Sequence, residues 1–258
     1  MRLYENTPYF KEEWGMDPTI TPYLVDTKEP RGAVIVLPGG GYEGLAPHEG
    51  EPYARLVNAM GAHAFVATYR LAPYKHPVML YDVLRAVKVV RAHAKEWNID
   101  PNKIAVMGSS AGGHAALMAA AHFDAPLSYE TDVIDEVSAR PDGCILCYPV
   151  VTMREWTHEG SRRALLGEDP TEELLSYASL EEQVREDMPP VFLWSTAADD
   201  AVPILNSTAF LAALSQKGVP FEAHIFPYGH HGLGLAEDHP HVAQWAPLLQ
   251  NWLRLMKF

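Results

Sequence analysis

The chain has 258 residues, of which 48% are hydrophobic and 21% charged, and its formal net charge is −13. This composition is typical of a soluble globular protein with a sizeable core, and the acidic balance argues against a nucleic-acid partner, because phosphate binding requires a basic face. No apolar run approaches the length of a membrane span, and residues 1–14 lack the apolar core of a signal peptide, so we expect a cytoplasmic protein without a membrane partner.

Strand-like and helix-like segments alternate along most of the chain. Short apolar runs predict buried strands, and apolar residues at helical spacing predict the helices between them. The predicted strands are 33–37, 63–69, 104–107, 143–148, 191–195 and 221–226, with a short edge strand within 21–25. The predicted helices are 50–60, 80–97, an Ala-rich run ending near 122, 204–216 and 242–255. This order predicts an α/β fold with a mostly parallel sheet covered on both faces by helices.

One domain is expected over residues 1–258, because α/β domains of this length are common. The interval 149–190 between two predicted strands mixes short helical pieces with polar turns. We interpret this insert as a small cap over the ends of the strands. The sequence leaves the oligomeric state open, a homo-oligomer included.

The two cysteines, Cys144 and Cys147, form a C-x-x-C pattern in the segment GCILCYP. A single pair cannot complete a four-ligand zinc site, and the sequence contains no H-E-x-x-H spacing. In a strand, positions three apart point to opposite faces, so both side chains are predicted to be core thiols. We therefore predict no metal and no cofactor.

The segment 103–122 carries the motif around which the predicted site is built. Its central five residues, Gly-Ser-Ser-Ala-Gly at 108–112, match G-x-S-x-G with Ser110 in the middle. An apolar run precedes the motif and an Ala-rich run follows, which is the strand-turn-helix context that presents a serine nucleophile. The N–H of Ala111, at the positive end of the helix, is then expected to face a developing oxyanion.

A serine nucleophile needs a base, and the base needs an acid that orients it. Both are expected after later strands, the acid first and the histidine second. Asp199 and Asp200 directly follow one predicted strand, and His230 and His231 directly follow the last one. The residue pattern alone leaves open which aspartate and which histidine act with Ser110.

A run of three glycines follows the first predicted buried strand. The bare backbone N–H groups of such a run, here those of Gly40 and Gly41, suit an oxyanion hole. The same letters also satisfy the dinucleotide motif G-x-G-x-x-G through Gly39, Gly41 and Gly44. A dinucleotide site requires an acidic residue at the end of the next strand, where this sequence has Thr-Tyr-Arg, so the oxyanion hole is favoured.

The chain resembles the small α/β-hydrolase esterases related to acetyl-xylan esterases and bacterial feruloyl-esterase-like enzymes. The resemblance runs from about Ala33 to the last predicted helix, through the stretches LPGGGY, HEGEPYARLVNAMGAHAFVATYRLAP, HPVMLYDVLRAVKVVR, GSSAGGHAA, YPVVTM, THEGSRRALLGE and FPYGHHGLGLA. It implies Ser110 as the nucleophile and His231, which precedes Gly-Leu-Gly-Leu, as the base. It also implies Asp199, four residues before Pro203, as the acid.

Two positions depart from the wider pattern of such enzymes. Many lipases and esterases carry a histidine where this chain has Pro38, although proline is familiar in this branch. The motif TAADD contains an extra alanine, which bears on the choice of aspartate.

The resemblance implies a carboxylesterase for a small-molecule ester, with short acyl groups, above all acetyl, on sugars or xylo-oligosaccharides.

Two further sets of residues near the predicted site have competing interpretations. The first set lies in the insert. It forms either a wall of the substrate pocket or an ordinary helix start with solvated arginines, and its members are Trp156, His158, Arg162 and Arg163. We interpret the two arginines as solvated and leave the other two open. Glu49 and Glu51 are interpreted as caps of the next helix.

Three other functions compete with a sugar deacetylase. A peptidase of the prolyl-oligopeptidase kind shares this catalytic layout but usually carries a large additional domain. A generic short-chain carboxylesterase would have the same catalytic residues and another alcohol. A non-catalytic binding protein on the same fold usually lacks one of the three catalytic side chains, whereas candidates for all three occur here.

Overall fold

Seven β-strands and seven α-helices make up the chain, which the computed structural model describes from Met1 to Phe258. The strands are β1 (Ile20–Tyr23), β2 (Arg31–Leu37), β3 (His63–Ala67), β4 (Ile99–Ser109), β5 (Gly143–Cys147), β6 (Val191–Thr196) and β7 (Phe221–Phe226). The helices are α1 (Glu51–Ala59), α2 (Val78–Ala92), α3 (Ser110–Ala121), α4 (Glu159–Leu166), α5 (Glu172–Ala178), α6 (Leu205–Lys217) and α7 (Trp245–Met256). None of these helices combines the length and the apolar character needed to cross a bilayer.

All seven strands belong to one sheet, in the order β1-β3-β2-β4-β5-β6-β7. The edge strand β1 runs antiparallel to β3, and every other neighbouring pair is parallel. The predicted α/β fold class is therefore confirmed. Because parallel strands end at the same side of a sheet, the segments that follow β2, β4, β5, β6 and β7 meet there.

Helices cover both faces of the sheet because the strand residues that point to either face are apolar. In β2, Ile35 packs in a cluster with residues of α2, α3 and α6, whereas Val34 packs with residues of α1 and α7. Cys144 and Cys147 lie in β5 and belong to these two clusters respectively, both buried and unpaired, as predicted. Burial raises the pKa of the Cys147 thiol to about 12.

Several element boundaries differ from the prediction for identifiable reasons. The helix predicted to reach residue 97 ends at Ala92, and the turn after it closes on Asn98, whose φ of 57° is left-handed. Strand β4 begins earlier than predicted because Ile99 pairs with the first residue of β2. Within the insert, for which no helix bounds are predicted, α5 ends at Ala178, and the hydroxyl of the next residue, Ser179, donates to the Leu175 carbonyl and accepts a backbone N–H from the segment after β5.

A buried ion pair joins the end of β3 to α2. The Nε and Nη2 groups of Arg70 donate to the Asp82 carboxylate at 2.8 and 2.6 Å, and the Arg70 backbone N–H donates to it at 3.0 Å. Neither side chain is exposed. The same guanidinium also donates to the carbonyl of Pro8, so the pair fixes the N-terminal segment against the sheet as well.

We expect Asp82→Asn to lower the free energy of unfolding by about 3–5 kcal/mol, because it leaves the Arg70 charge buried without a counter-ion. Urea denaturation followed by circular dichroism measures this change. Glu51→Gln is the control, since it removes the exposed pair with Arg55 in α1 and should change the free energy by about 0.5 kcal/mol or less. Equal losses in the two variants would contradict the prediction.

Candidate functional site

Ser110 begins α3 directly after the central strand β4, on left-handed backbone with a φ of 52°. Residues other than glycine rarely adopt this conformation, and the surrounding backbone enforces it here. A Cβ added to Gly108 would lie 2.1 Å from the Gly112 carbonyl oxygen, and one added to Gly112 would lie 2.1 Å from the Leu37 carbonyl oxygen. Both glycines of the motif are therefore required by close backbone packing.

The structure brings Ser110, His231 and Asp199 together. His231 Nε2 lies 2.8 Å from Ser110 Oγ, and His231 Nδ1 lies 2.7 Å from Asp199 Oδ2. A carboxylate only accepts, so Nδ1 carries the imidazole proton and the Nε2 lone pair faces the serine hydroxyl. The Asp199 side chain is 2% exposed and that of His231 20% exposed, so the acid is shielded from water while the imidazole edge is reachable.

The neighbouring aspartate and histidine have other contacts. The second carboxylate oxygen of Asp199 accepts from the backbone N–H groups of Ala201 and Val202, at 2.9 and 2.8 Å, which fixes its orientation. Asp200 is exposed and accepts the His231 backbone N–H at 3.1 Å, a hydrogen bond that lowers the pKa of Asp200. The His230 ring is exposed, and its Nδ1 lies 2.6 Å from the His231 carbonyl oxygen. Neither Asp200 nor His230 forms a hydrogen bond with Ser110.

The glycine loop after β2 lies directly beside the serine. A Cβ added to Gly39 would come within 3.0 Å of Ser110 Cβ, and Gly40 and Gly41 have φ values of 132° and 68°. No hydrogen bond in the turns and loops uses the N–H of Gly40 or Gly41. The N–H of Ala111 belongs to the first turn of α3, where backbone donors have no partner within the helix. These donors are free to bind an oxygen that carries negative charge.

Glu49 has a different position from the predicted helix cap. The residue directly before α1 is Gly50, and no side chain caps the start of that helix. Glu49 is instead buried, with Oε2 accepting the Gly39 N–H and Oε1 accepting the Tyr148 hydroxyl, both at 2.7 Å. Glu51 lies in the first turn of α1 and its partner is Arg55. The Glu49 carboxylate therefore holds the glycine loop, a role that the sequence interpretation missed.

Tyr148 connects Glu49 to the histidine loop. Its hydroxyl accepts the Gly234 N–H at 2.9 Å, and its ring packs edge-on against the His231 ring with 5.2 Å between the centroids. Burial and the Glu49 carboxylate raise the pKa of Tyr148 well above its usual range, so the phenol stays protonated and donates to Glu49. The sequence did contain a signal for this role, because Tyr148 ends a predicted parallel strand and therefore lies at the side of the sheet where the site forms.

A second buried contact fixes the glycine loop from the other side. The Tyr42 hydroxyl donates to His114 Nδ1 at 2.7 Å, and His114 Nε2 donates to the Ala178 carbonyl at 2.8 Å. Burial lowers the pKa of His114 to about 4, which keeps the ring neutral. His114 follows Ser110 by about one helical turn, but both of its partners lie far away in the sequence, so no local pattern indicates this contact.

The insert places its four candidate residues differently. His158 lies at the glycine loop, because a Cβ added to Gly41 would be 3.9 Å from His158 Cε1. Trp156 is half-exposed, Arg162 pairs with Glu159 at 2.6 Å, and the Arg163 side chain is mostly exposed. Arg163 thus has the solvated character predicted for the arginines, whereas the Arg162 side chain is partly buried. No group of three or more His, Cys, Asp or Glu side chains is arranged to hold a metal ion.

Comparison with known proteins identifies a family and several relatives. The BD-FAE family model matches residues 23–214. Endo-1,4-beta-xylanase B of Butyrivibrio fibrisolvens is 41% identical over 91% of this chain, and an acetylxylan esterase of Xylanibacter ruminicola is 33% identical over 88% of it. The chain spans less than half of these two relatives, 37% and 46% of their lengths.

One solved structure covers nearly the whole chain. It is an acetyl ester-xyloside bifunctional hydrolase from Caldicellulosiruptor lactoaceticus, with a TM-score of 0.96 and 45% sequence identity. The match extends over 99% of this chain and 95% of that one. A carboxylesterase from Lactobacillus plantarum also shares the fold, with a TM-score of 0.78 and 25% identity over 91% of each chain.

Tyr148→Phe should lower the free energy of unfolding by about 1–3 kcal/mol, because Glu49 and the Gly234 N–H both lose a buried partner. Tyr228→Phe is the matched control, since this tyrosine is 79% exposed and its hydroxyl makes no hydrogen bond within the chain. Chemical denaturation of both variants makes the comparison. A Tyr148→Phe protein as stable as the control would show that the hydroxyl does not hold the two loops.

Proposed function

The chain belongs to the BD-FAE family of α/β-hydrolases, and we propose that it is a serine carboxylic ester hydrolase that removes short acyl groups from sugars. The observation that carries this proposal is the hydrogen-bonded series of Ser110, His231 and Asp199 beside the free N–H groups of the glycine loop. The names of two similar proteins, an acetylxylan esterase and an acetyl ester-xyloside hydrolase, support acetylated xylose or xylo-oligosaccharides as the substrates.

In the first half of the proposed reaction, Ser110 Oγ attacks the carbonyl carbon of the ester and His231 Nε2 takes the hydroxyl proton. Asp199 stabilises the resulting imidazolium through Nδ1. The N–H groups of Gly40, Gly41 and Ala111 bind the oxyanion of the tetrahedral intermediate. When the intermediate collapses, the C–O bond to the alcohol breaks, and the alcohol leaves with the proton from Nε2.

In the second half, water cleaves the acyl-serine ester. His231 Nε2 takes a proton from the water, whose oxygen attacks the acyl carbon. Collapse of the second tetrahedral intermediate releases the carboxylic acid and returns the proton to Ser110 Oγ. The positive end of α3 lies at the nucleophile and favours the negative charge that develops in both halves.

Hydrolysis of a series of p-nitrophenyl esters, and of acetylated xylo-oligosaccharides, tests the proposal. We expect acetyl to butyryl esters to be preferred and acetate to be released from the oligosaccharides. Ser110→Ala should lower kcat by about 10⁴-fold or more without a change in melting temperature. The control is Ser109→Ala, since the Ser109 hydroxyl points to Tyr53 at 3.2 Å and should be dispensable for turnover.

Two outcomes would overturn the proposal. If the Ser110→Ala protein turns over substrate at nearly the rate of the parent, Ser110 is not the nucleophile. If the protein prefers octanoyl or longer acyl chains, or releases no acetate from any acetylated sugar, the proposed substrate class is wrong. The protein is then a carboxylesterase for other esters.

The two adjacent aspartates can be separated by substitution. We expect Asp199→Asn to lower kcat by about 10⁴-fold, because asparagine favours the wrong tautomer of the histidine base. Asp200→Asn should have a mild effect, since its carboxylate contacts only the His231 backbone. Steady-state kinetics on p-nitrophenyl acetate distinguish the two, and the reverse ranking would assign the acid to Asp200.

A further inference from the structure

His158 lies beside the glycine loop with one ring nitrogen already engaged. Its Nδ1 is the N-cap acceptor of α4, where it accepts the Ser161 N–H at 3.1 Å and lies 2.9 Å from the Ser161 hydroxyl. A backbone N–H can only donate, so Nδ1 is unprotonated and the proton of the neutral ring lies on Nε2. The Nε2 atom has no hydrogen-bond partner within the chain, and it is not completely buried. It is therefore a free donor that solvent can reach.

The surroundings of this ring connect it to the proposed catalytic residues. A Cβ on Gly41 would lie 3.9 Å from His158 Cε1 and 4.0 Å from Ser161 Oγ, so the ring borders the oxyanion loop. Burial, and then the neighbouring His231, lower the pKa of His158, whereas Glu43 and Asp199 act in the opposite direction. The ring thus remains neutral and keeps its single Nε2–H donor near neutral pH.

Trp156, two residues earlier, combines two unfavourable features. Its backbone is left-handed with a φ of 67°, which is disfavoured for a residue with a Cβ, and its side chain is 49% exposed. The conformation is fixed by the buried Asn206, whose amide donates to the Trp156 carbonyl at 2.8 Å and whose Oδ1 accepts two backbone N–H groups after β5. Because two residues of chain span at most about 7 Å, the backbone of Trp156 lies close to that of His158.

We propose that Trp156 and His158 form the subsite for the alcohol part of the ester, and that this alcohol is a sugar residue. A pyranose ring has an apolar C–H face, which an indole can cover, and a rim of hydroxyls, one of which can accept the Nε2–H of His158. The His158 ring borders the loop that binds the oxyanion, and the Trp156 carbonyl shares the Asn206 amide with the carbonyl of Pro203, in the loop that carries Asp199. The inference rests on the proposed function, because it assigns the alcohol side of the same site.

Two substitutions separate binding from structure. His158→Asn keeps the cap of α4, because asparagine is among the best N-cap residues, but removes the imidazole donor. Trp156→Gly removes the indole and suits the left-handed backbone. Melting curves of both variants distinguish a loss of sugar specificity from a loss of folding. Phe10→Ala is the matched control, as it removes an exposed aromatic ring from the N-terminal segment.

The readout is the ratio of kcat/KM for a mono-O-acetylated methyl xyloside, which keeps two free hydroxyls, to kcat/KM for ethyl acetate, whose alcohol has neither a ring nor further hydroxyls. We expect this ratio to fall about tenfold in each of the two variants, mostly through KM for the xyloside, because each loses about one interaction with the sugar. It should stay at the parent value in Phe10→Ala. An unchanged ratio in both variants, with ethyl acetate still hydrolysed, overturns the subsite and leaves the proposed function standing.

Binding without turnover tests the subsite separately from the chemistry. Isothermal titration of Ser110→Ala with xylobiose should show binding that adding His158→Asn weakens about tenfold. If the parent hydrolyses no ester at all, the proposed function fails, and this titration still decides the subsite. No xylobiose binding, or equal binding by both proteins, overturns it.

Discussion

The lack of space between α3 and the strands β2 and β4 is the constraint on which the site depends. Backbone atoms approach so closely at Gly108 and Gly112 that no Cβ fits at either position. The start of α3 is therefore positioned by backbone contacts, which cannot adjust as side chains do. Ser110 is forced onto left-handed backbone as a result, and the surrounding fold sustains that strain.

A single buried carboxylate then sets the distance between loops that arise from different strands. Glu49 binds the glycine loop directly, and through Tyr148 it reaches the loop that carries His231. A buried polar network of this kind is rigid when every member has a partner, as these members do. The relative position of the glycine loop and His231 is thus determined by hydrogen bonds outside the series of Ser110, His231 and Asp199.

The sequence predicted the parts of this protein that are local or depend on chain order. The elbow around Ser110 is a five-residue motif, and the order of acid and histidine follows from the strands that precede them. The choice of Asp199 over Asp200 came from family spacing, and the structure supplies its physical basis, since only the Asp199 side chain turns inward. The roles of these residues in catalysis, the single domain with its cap, and the cytoplasmic location stay predictions.

The parts that the sequence interpretation missed depend on contacts between distant segments. The interpretation of Glu49 as a helix cap rests on its place directly before the predicted helix 50–60, but its position depends on Tyr148, far along the chain. The cap that His114 provides for Ala178 is equally invisible to local patterns.

The two thiols of β5 have a consequence for how the molecule can be studied. Cys144 and Cys147 are the only cysteines in the chain, both are fully buried in the middle of the sheet, and burial raises the pKa of each. Because a thiolate is the reactive form, alkylating reagents find no target on the folded surface. The rate of alkylation therefore records opening of the central sheet, and a cysteine introduced on the surface would be a unique site for a spectroscopic label.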